Sequence, residues 1–202
     1  MTIAVPVATA KAGGESARIG EVARTWWRAY CDPDQGEPAT RARLRRSDSP
    51  IEAATIPAAL QLIRALGVLR PSMREDDWRI TSALDLARVL AHIREDDPRQ
   101  RPMQAAGWKS FPGDRRESDA GEGRPRLSEA RFRRLLHSGR GEERVSAFAR
   151  LIALLGGTVN VAELANDFWH WNDRTKRRWA FDYYAAGIAT PPDSLSIPGD
   201  HV

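Results

Sequence analysis

The chain has 202 residues, 42% of them hydrophobic and 29% charged, with a formal net charge of +4 and a pI near 9.7. That length holds one or two modest cores and is small for a catalytic machine with separate substrate domains. A lone Cys31 excludes an internal disulfide, and no apolar run reaches the roughly 18 residues that a bilayer-spanning helix needs.

Arginine supplies 28 of the 31 basic side chains. Its planar fork can bond phosphate oxygens bidentately where lysine acts as a point charge, which points to nucleic acid. Biased genome composition would produce the same excess, so location is the better guide. Residues 1–98 carry 14 basic and 14 acidic side chains, whereas residues 126–187 carry 11 and 7. The excess sits in the C-terminal half.

Residues 1–17 open MTIAVPVATAKAGG, without the basic start and long apolar stretch of a signal peptide, and read as a disordered leader. With the single cysteine, this predicts a cytoplasmic protein. A first helix is expected from about Ser16 to Cys31, with Ile19, Val22, Ala23, Trp26 and Tyr30 on one face. DPDQGEP stops it, and Pro38 suits the first turn of a short helix through ATRARLRR. There Arg41 and Arg45 are four apart, as are Ala42 and Arg46, so the arginines crowd two adjacent faces and Arg41, Arg43, Arg45 and Arg46 form a basic cluster. Ile56-Pro57 interrupts the next apolar stretch, and Gly67 is a plausible stop. Asp76 or Asp77 can cap a long helix starting at Trp78, whose two apolar stripes predict a central position.

From Glu95 to Pro125, proline, glycine and charge are too dense to bury much apolar area, so residues 95–125 read as a long flexible linker. Trp108 and Phe111 stand out within it. Docking on a neighbouring surface suits them better than stacking on a base.

The C-terminal unit begins with a capping signal at Ser128 and Glu129. Phe132, Leu135 and Leu136 turn inward while Arg131, Arg133 and Arg134 point elsewhere. SGRGEE makes a turn, and the next helix packs through Val145, Phe148, Leu151, Ile152 and Leu155 with Arg150 off that stripe. GGT ends it. A third helix, about Val161–Trp171, uses Leu164, Ala165 and Phe168. Asn172 or Asp173 can cap a fourth, on which Arg174, Arg177 and Arg178 share a face. The expected fold is all-α: an N-terminal helical bundle over 18–94, and a C-terminal four-helix bundle over 126–187. Residues 188–202 read as a disordered tail.

No glycine-rich phosphate loop, HExxH, CxxC or GxSxG occurs, and the histidines are isolated. The sequence therefore predicts no enzyme, no cofactor and no metal site. Its basic clusters predict backbone-directed nucleic-acid binding that weakens with salt.

At GEPATRARLRRSDSPIEAATIPAALQLIRALG, and again at RLSEARFRRLLHSGRGEERVSAFARLI and FWHWNDRTKRRWAFDYY, the chain resembles the CasB family. These are the small subunits of the type I-E CRISPR surveillance complex, Cascade. The resemblance implies two helical bundles, with two copies head to tail among other Cascade subunits. They would stabilise the R-loop in antiviral defence by contacts to crRNA, target DNA and displaced single-stranded DNA, with no membrane involved and sequence read by guide pairing. Carried over by position, the family's basic residues fall on Arg45, Arg46, Arg131, Arg150, Arg174, Lys176 and Arg177. Arg43, Arg134 and Arg178 join them by helix geometry. A stand-alone helical DNA-binding transcriptional regulator is the alternative, with RFRRLLHSGRGEERVSAFARL as its weak helix-turn-helix candidate. A protein-interaction scaffold is the third.

Overall fold

The structure is a computed structural model that describes residues 15–68, 78–109 and 124–185. Most of the leader, the Asp76 and Asp77 caps, Phe111 and the tail lie outside the described residues. Among the described residues run ten helices and one pair of two-residue strands, so the fold is all-α.

Helix α1 (Glu15–Tyr30) buries Ala23, Trp26 and Trp27, and the Trp26 indole N–H donates to the Ala58 carbonyl at 2.7 Å. Helix α2 (Pro38–Arg46) starts with proline in its first turn. Helix α3 (Pro50–Ala54) is capped by the Ser49 hydroxyl, and Pro57 opens α4 (Pro57–Ala65), so Ile56-Pro57 does interrupt the apolar stretch. Helix α5 (Trp78–Leu90) is buried continuously from Ala83 to Leu90. Two apolar stripes on one helix require neighbours on both sides, and α5 has them in α3, α4, α8 (Glu142–Leu154) and α9 (Val161–Trp169).

Residues 95–109 are not linker. Strand β1 (Glu95–Asp96) pairs in parallel with β2 (Thr158–Val159), and α6 (Pro102–Ala106) buries Met103 and Ala106 against α10 (Asp173–Tyr183). Polar density misled the reading because a few apolar side chains, Pro102, Met103 and Ala106, are buried in the core and the backbone is stitched down. The Trp108 N–H donates to the Tyr183 carbonyl at 2.7 Å, and the Leu127 N–H donates to the Ala106 carbonyl at 2.9 Å. The Tyr183 hydroxyl in turn donates to the Leu127 carbonyl at 2.7 Å. Trp108 packs against the core, as docking would have it.

The N-terminal helices α1–α5 and the C-terminal helices α7 (Glu129–His137) to α10 share one continuous apolar cluster. α7 lies on α8, but α9 takes α1 as its main neighbour in the most extensive helix contact of the described residues. That contact is close because of Gly20, where an added Cβ would sit 2.6 Å from the Ala162 carbonyl oxygen. Arg24 extends from α1 to form an ion pair with Asp96 at 2.9 Å, and Asp96 also accepts from the Val161 N–H at 3.1 Å. A carboxylate at the start of α9 is favoured by the helix dipole. Ser128 precedes α7 as expected, but its side chain makes no cap hydrogen bond, whereas Asn172 accepts from the backbone of Arg174 and Thr175.

Arg88 is the polar centre of this packing and is only 4% exposed. It donates to the Ser47 carbonyl at 2.9 Å, to Asp85 at 3.3 Å and to Glu142 at 2.7 Å, joining three chain segments. Burial pushes the Asp85 carboxyl above its ordinary range, and the Arg88 charge pulls it back down.

Candidate nucleic-acid interface

Four groups of cations lie on the outside of this framework. The first is the last turn of α2, where Arg43, Arg45 and Arg46 are all exposed. Cations are stabilised there by the carbonyl end of the helix. The neighbouring Arg41 instead bends inward and donates to the carbonyls of Ala91 and Ile93, both at 3.1 Å, closing the end of α5. Burial and then the Arg45 charge lower the pKa of Arg41. The same influences, burial first and then Arg45, Arg88 and Arg41, lower that of His92 and favour its neutral form.

The second group is the best formed. Arg131 and Arg134 on α7 and Arg150 on α8 line one groove of about 500 Å³, floored by Leu127, Leu135, Ala147, Leu151 and Leu154. Helical spacing places Arg131 and Arg134 on one side of α7, and Arg150 joins them because α7 and α8 are antiparallel neighbours across the Ser138–Gly141 turn. All three guanidinium groups are exposed and have no carboxylate partner among the described residues. Three like charges around one concavity raise its affinity for an anion.

The third group, on α10, divides. Arg174 and Arg177 are exposed, and the Lys176 ammonium lies 5.8 Å from the centroid of the Trp171 ring. Arg178 is turned inward and engaged by Asp167, with Glu163 at 3.5 Å. Asp167 is 1% exposed and also accepts from the Trp179 indole N–H at 2.6 Å. Burial raises its pKa to about 6 against the opposing effect of Arg178. Arg174 and Arg178 border a polar cleft with Asn166, Asp167, His170, Asn172 and Thr175, in which Arg177 has no part, and the charge of Arg178 is already answered.

The fourth group escaped the sequence reading. Trp78 at the start of α5 is 44% exposed and rests on Trp169 from the end of α9, with ring centroids 5.9 Å apart. Arg79 and Arg140 lie over the Trp78 ring at 5.7 and 5.5 Å, and Arg144 lies 5.7 Å from the Phe168 ring. These residues come from three distant parts of the chain, and no local spacing announces them.

Among the described residues no group of His, Cys, Asp or Glu is arranged to hold a metal, and no helix is long and apolar enough to cross a membrane. Fold and surface together define a class: a small all-helical protein with a continuous core and clustered arginines on its outer faces. The family model for CRISPR-associated protein Cse2 matches residues 40–184, and the chain belongs to that family, for which CasB is another name. The fold is also similar to that of a chain in the crystal structure of E. coli Cascade bound to a PAM-containing dsDNA target. The TM-score is 0.53 at 18% identity, covering 82% of this chain and 93% of that one. A search of curated proteins finds no match.

Proposed function

We propose that the chain is the small, non-catalytic subunit of a type I-E CRISPR Cascade complex and stabilises the R-loop through phosphate contacts. Its partners are the other Cascade subunits, a second copy head to tail, crRNA, target DNA and the displaced DNA strand. The observation that carries this reading is the convergence of Arg131, Arg134 and Arg150 on one groove in a Cse2-family chain. Arg43, Arg45, Arg46, Arg174, Lys176 and Arg177 extend the cationic surface. Arg178, already engaged by Asp167, contributes least.

Phosphate contacts release counterions, so affinity for a single strand should fall with salt by roughly 0.7 log units per contact per decade. Replacing Arg131, Arg134 and Arg150 by alanine should reduce that slope by about 2 while the fold is kept. An unchanged slope would remove these residues from the interface. The regulator alternative meets an obstacle in α8, whose first turn carries Glu142 and Glu143 where a recognition helix presents groups to base edges. Footprinting on plain duplex should accordingly give no discrete operator. Co-purification with guide RNA and other Cascade subunits tests assembly directly.

A further inference from the structure

An indole is among the largest apolar groups a protein has, and one left nearly half exposed calls for a partner. Trp78 is such a group, on the one helix that is otherwise the most deeply buried: from Ala83 onward every α5 residue is inside. Its ring is fixed rather than loose. Trp169 meets it at 46°, and the Arg79 and Arg140 guanidinium groups lie within 6 Å of its centroid. Arg140 sits on the turn between α7 and α8, next to glycines, and Arg144 follows one helical turn later. The Arg144 Nε is spent on the Gly139 carbonyl at 2.9 Å, which holds that arginine in place. Burial and then repulsion from Arg140 lower its pKa, with Asp85 acting in the opposite sense, so an incoming negative charge relieves a conflict already present.

We propose that Trp78, backed by Trp169 and overlain by Arg79 and Arg140, with Arg144 against the Phe168 ring next to Trp169, is a stacking site for an unpaired base of single-stranded nucleic acid. Arg140 and Arg144 take the adjoining phosphates. The inference rests on the nucleic-acid reading above and adds a contact to the base itself, through its face and without regard to sequence. Every base has a π face, so such a contact tolerates any sequence, as a subunit holding an arbitrary displaced strand requires. The guanidinium groups over the indole belong to the same platform, since bases stack on arginine as well as on aromatic rings. An apolar protein segment fits poorly, because two guanidinium groups lie over the indole and a hydrophobic partner would have to desolvate them.

The test uses the full-length chain and two labelled strands of equal length and charge, oligo-dT and an abasic oligonucleotide, read by fluorescence anisotropy. Wild type should prefer oligo-dT by about tenfold. Trp78→Leu and Trp78→Ala should remove that preference, with affinity for the abasic strand and its salt slope unchanged. Trp78→Phe should keep most of the preference, and Arg140→Gln should weaken binding of both strands. Thermal unfolding checks that each variant folds. Equal wild-type affinity for the two strands overturns the stacking site while leaving the charge-based function standing. Loss of all salt-sensitive binding to wild type overturns both. Retained preference in Trp78→Leu together with failure to assemble with other Cascade subunits makes the patch a protein contact and overturns the proposal.

Discussion

Helix α8 separates two cationic regions that behave in opposite ways. On one side its first residue, Glu142, reaches Arg88, which is buried with Asp85 and the Ser47 carbonyl. On the other side Arg150 faces Arg131 and Arg134 across an open groove with no acid among the described residues to answer them. The same residue type is thus structural where carboxylates and carbonyls converge on it, and available where only apolar side chains do. A count of arginines cannot tell these apart, because the difference lies in what the neighbouring element places opposite.

The contrast is broken most severely at Arg88. Arg88→Ala should cost about 3–5 kcal/mol in urea unfolding, because it leaves Asp85 buried without its partner. Replacing the pair together, Asp85→Leu with Arg88→Met, should recover much of that loss. Asp167→Ala should cost about 2–3 kcal/mol, since it orphans the buried Trp179 N–H and frees Arg178. If it also strengthens DNA binding, Arg178 has moved from the structural set to the available one.

A smaller effect follows from the pKa of Asp167, raised from 3.8 to about 6 by burial. Between those values the folded state binds more protons than the unfolded one, so this group's contribution to stability rises as pH falls through 6. Acidifying from pH 7 to 5 should therefore stabilise wild type by about 1 kcal/mol relative to Asp167→Asn, measured by urea unfolding at both pH values. The smallest change is expected in the groove: alanine at Arg131, Arg134 or Arg150 should shift stability by no more than about 0.5 kcal/mol each. A large loss there would erase the distinction between the two regions.

Much of the secondary structure was legible. Proline at Pro38 and Pro57, the amide of Asn172, and the Gly156-Gly157 stop, both with positive φ, act within a few residues, and such signals survive in any tertiary context. Buried positions followed from helical periodicity for the same reason: Val145, Phe148, Leu151 and Ile152 line one side of α8. What was not legible depends on distant partners. The two-residue strands β1 and β2 are too short for any alternation to register, and α6 carries only five residues. At the surface, the outward set Arg131, Arg134 and Arg150 could be placed by spacing alone. The inward turn of Arg178 could not, because it depends on Asp167 one helix earlier. The Trp78 cluster assembles from α5, the α7–α8 turn and α9, and sequence order gives no hint of it.

The close seating of α1 on α9 through Gly20 has a consequence for how the protein is made. At a synthesis rate of about 5–20 residues per second, α9 leaves the ribosome on the order of ten seconds after α1. Until then the face of α1 that will meet Ala162 has nothing to cover it, and the N-terminal helices cannot complete their core. Joining ends so far apart in the chain also delays folding relative to a bundle of adjacent helices. The nascent chain should therefore be a client of chaperones for most of its synthesis, and truncation before α9 should yield a protein that aggregates.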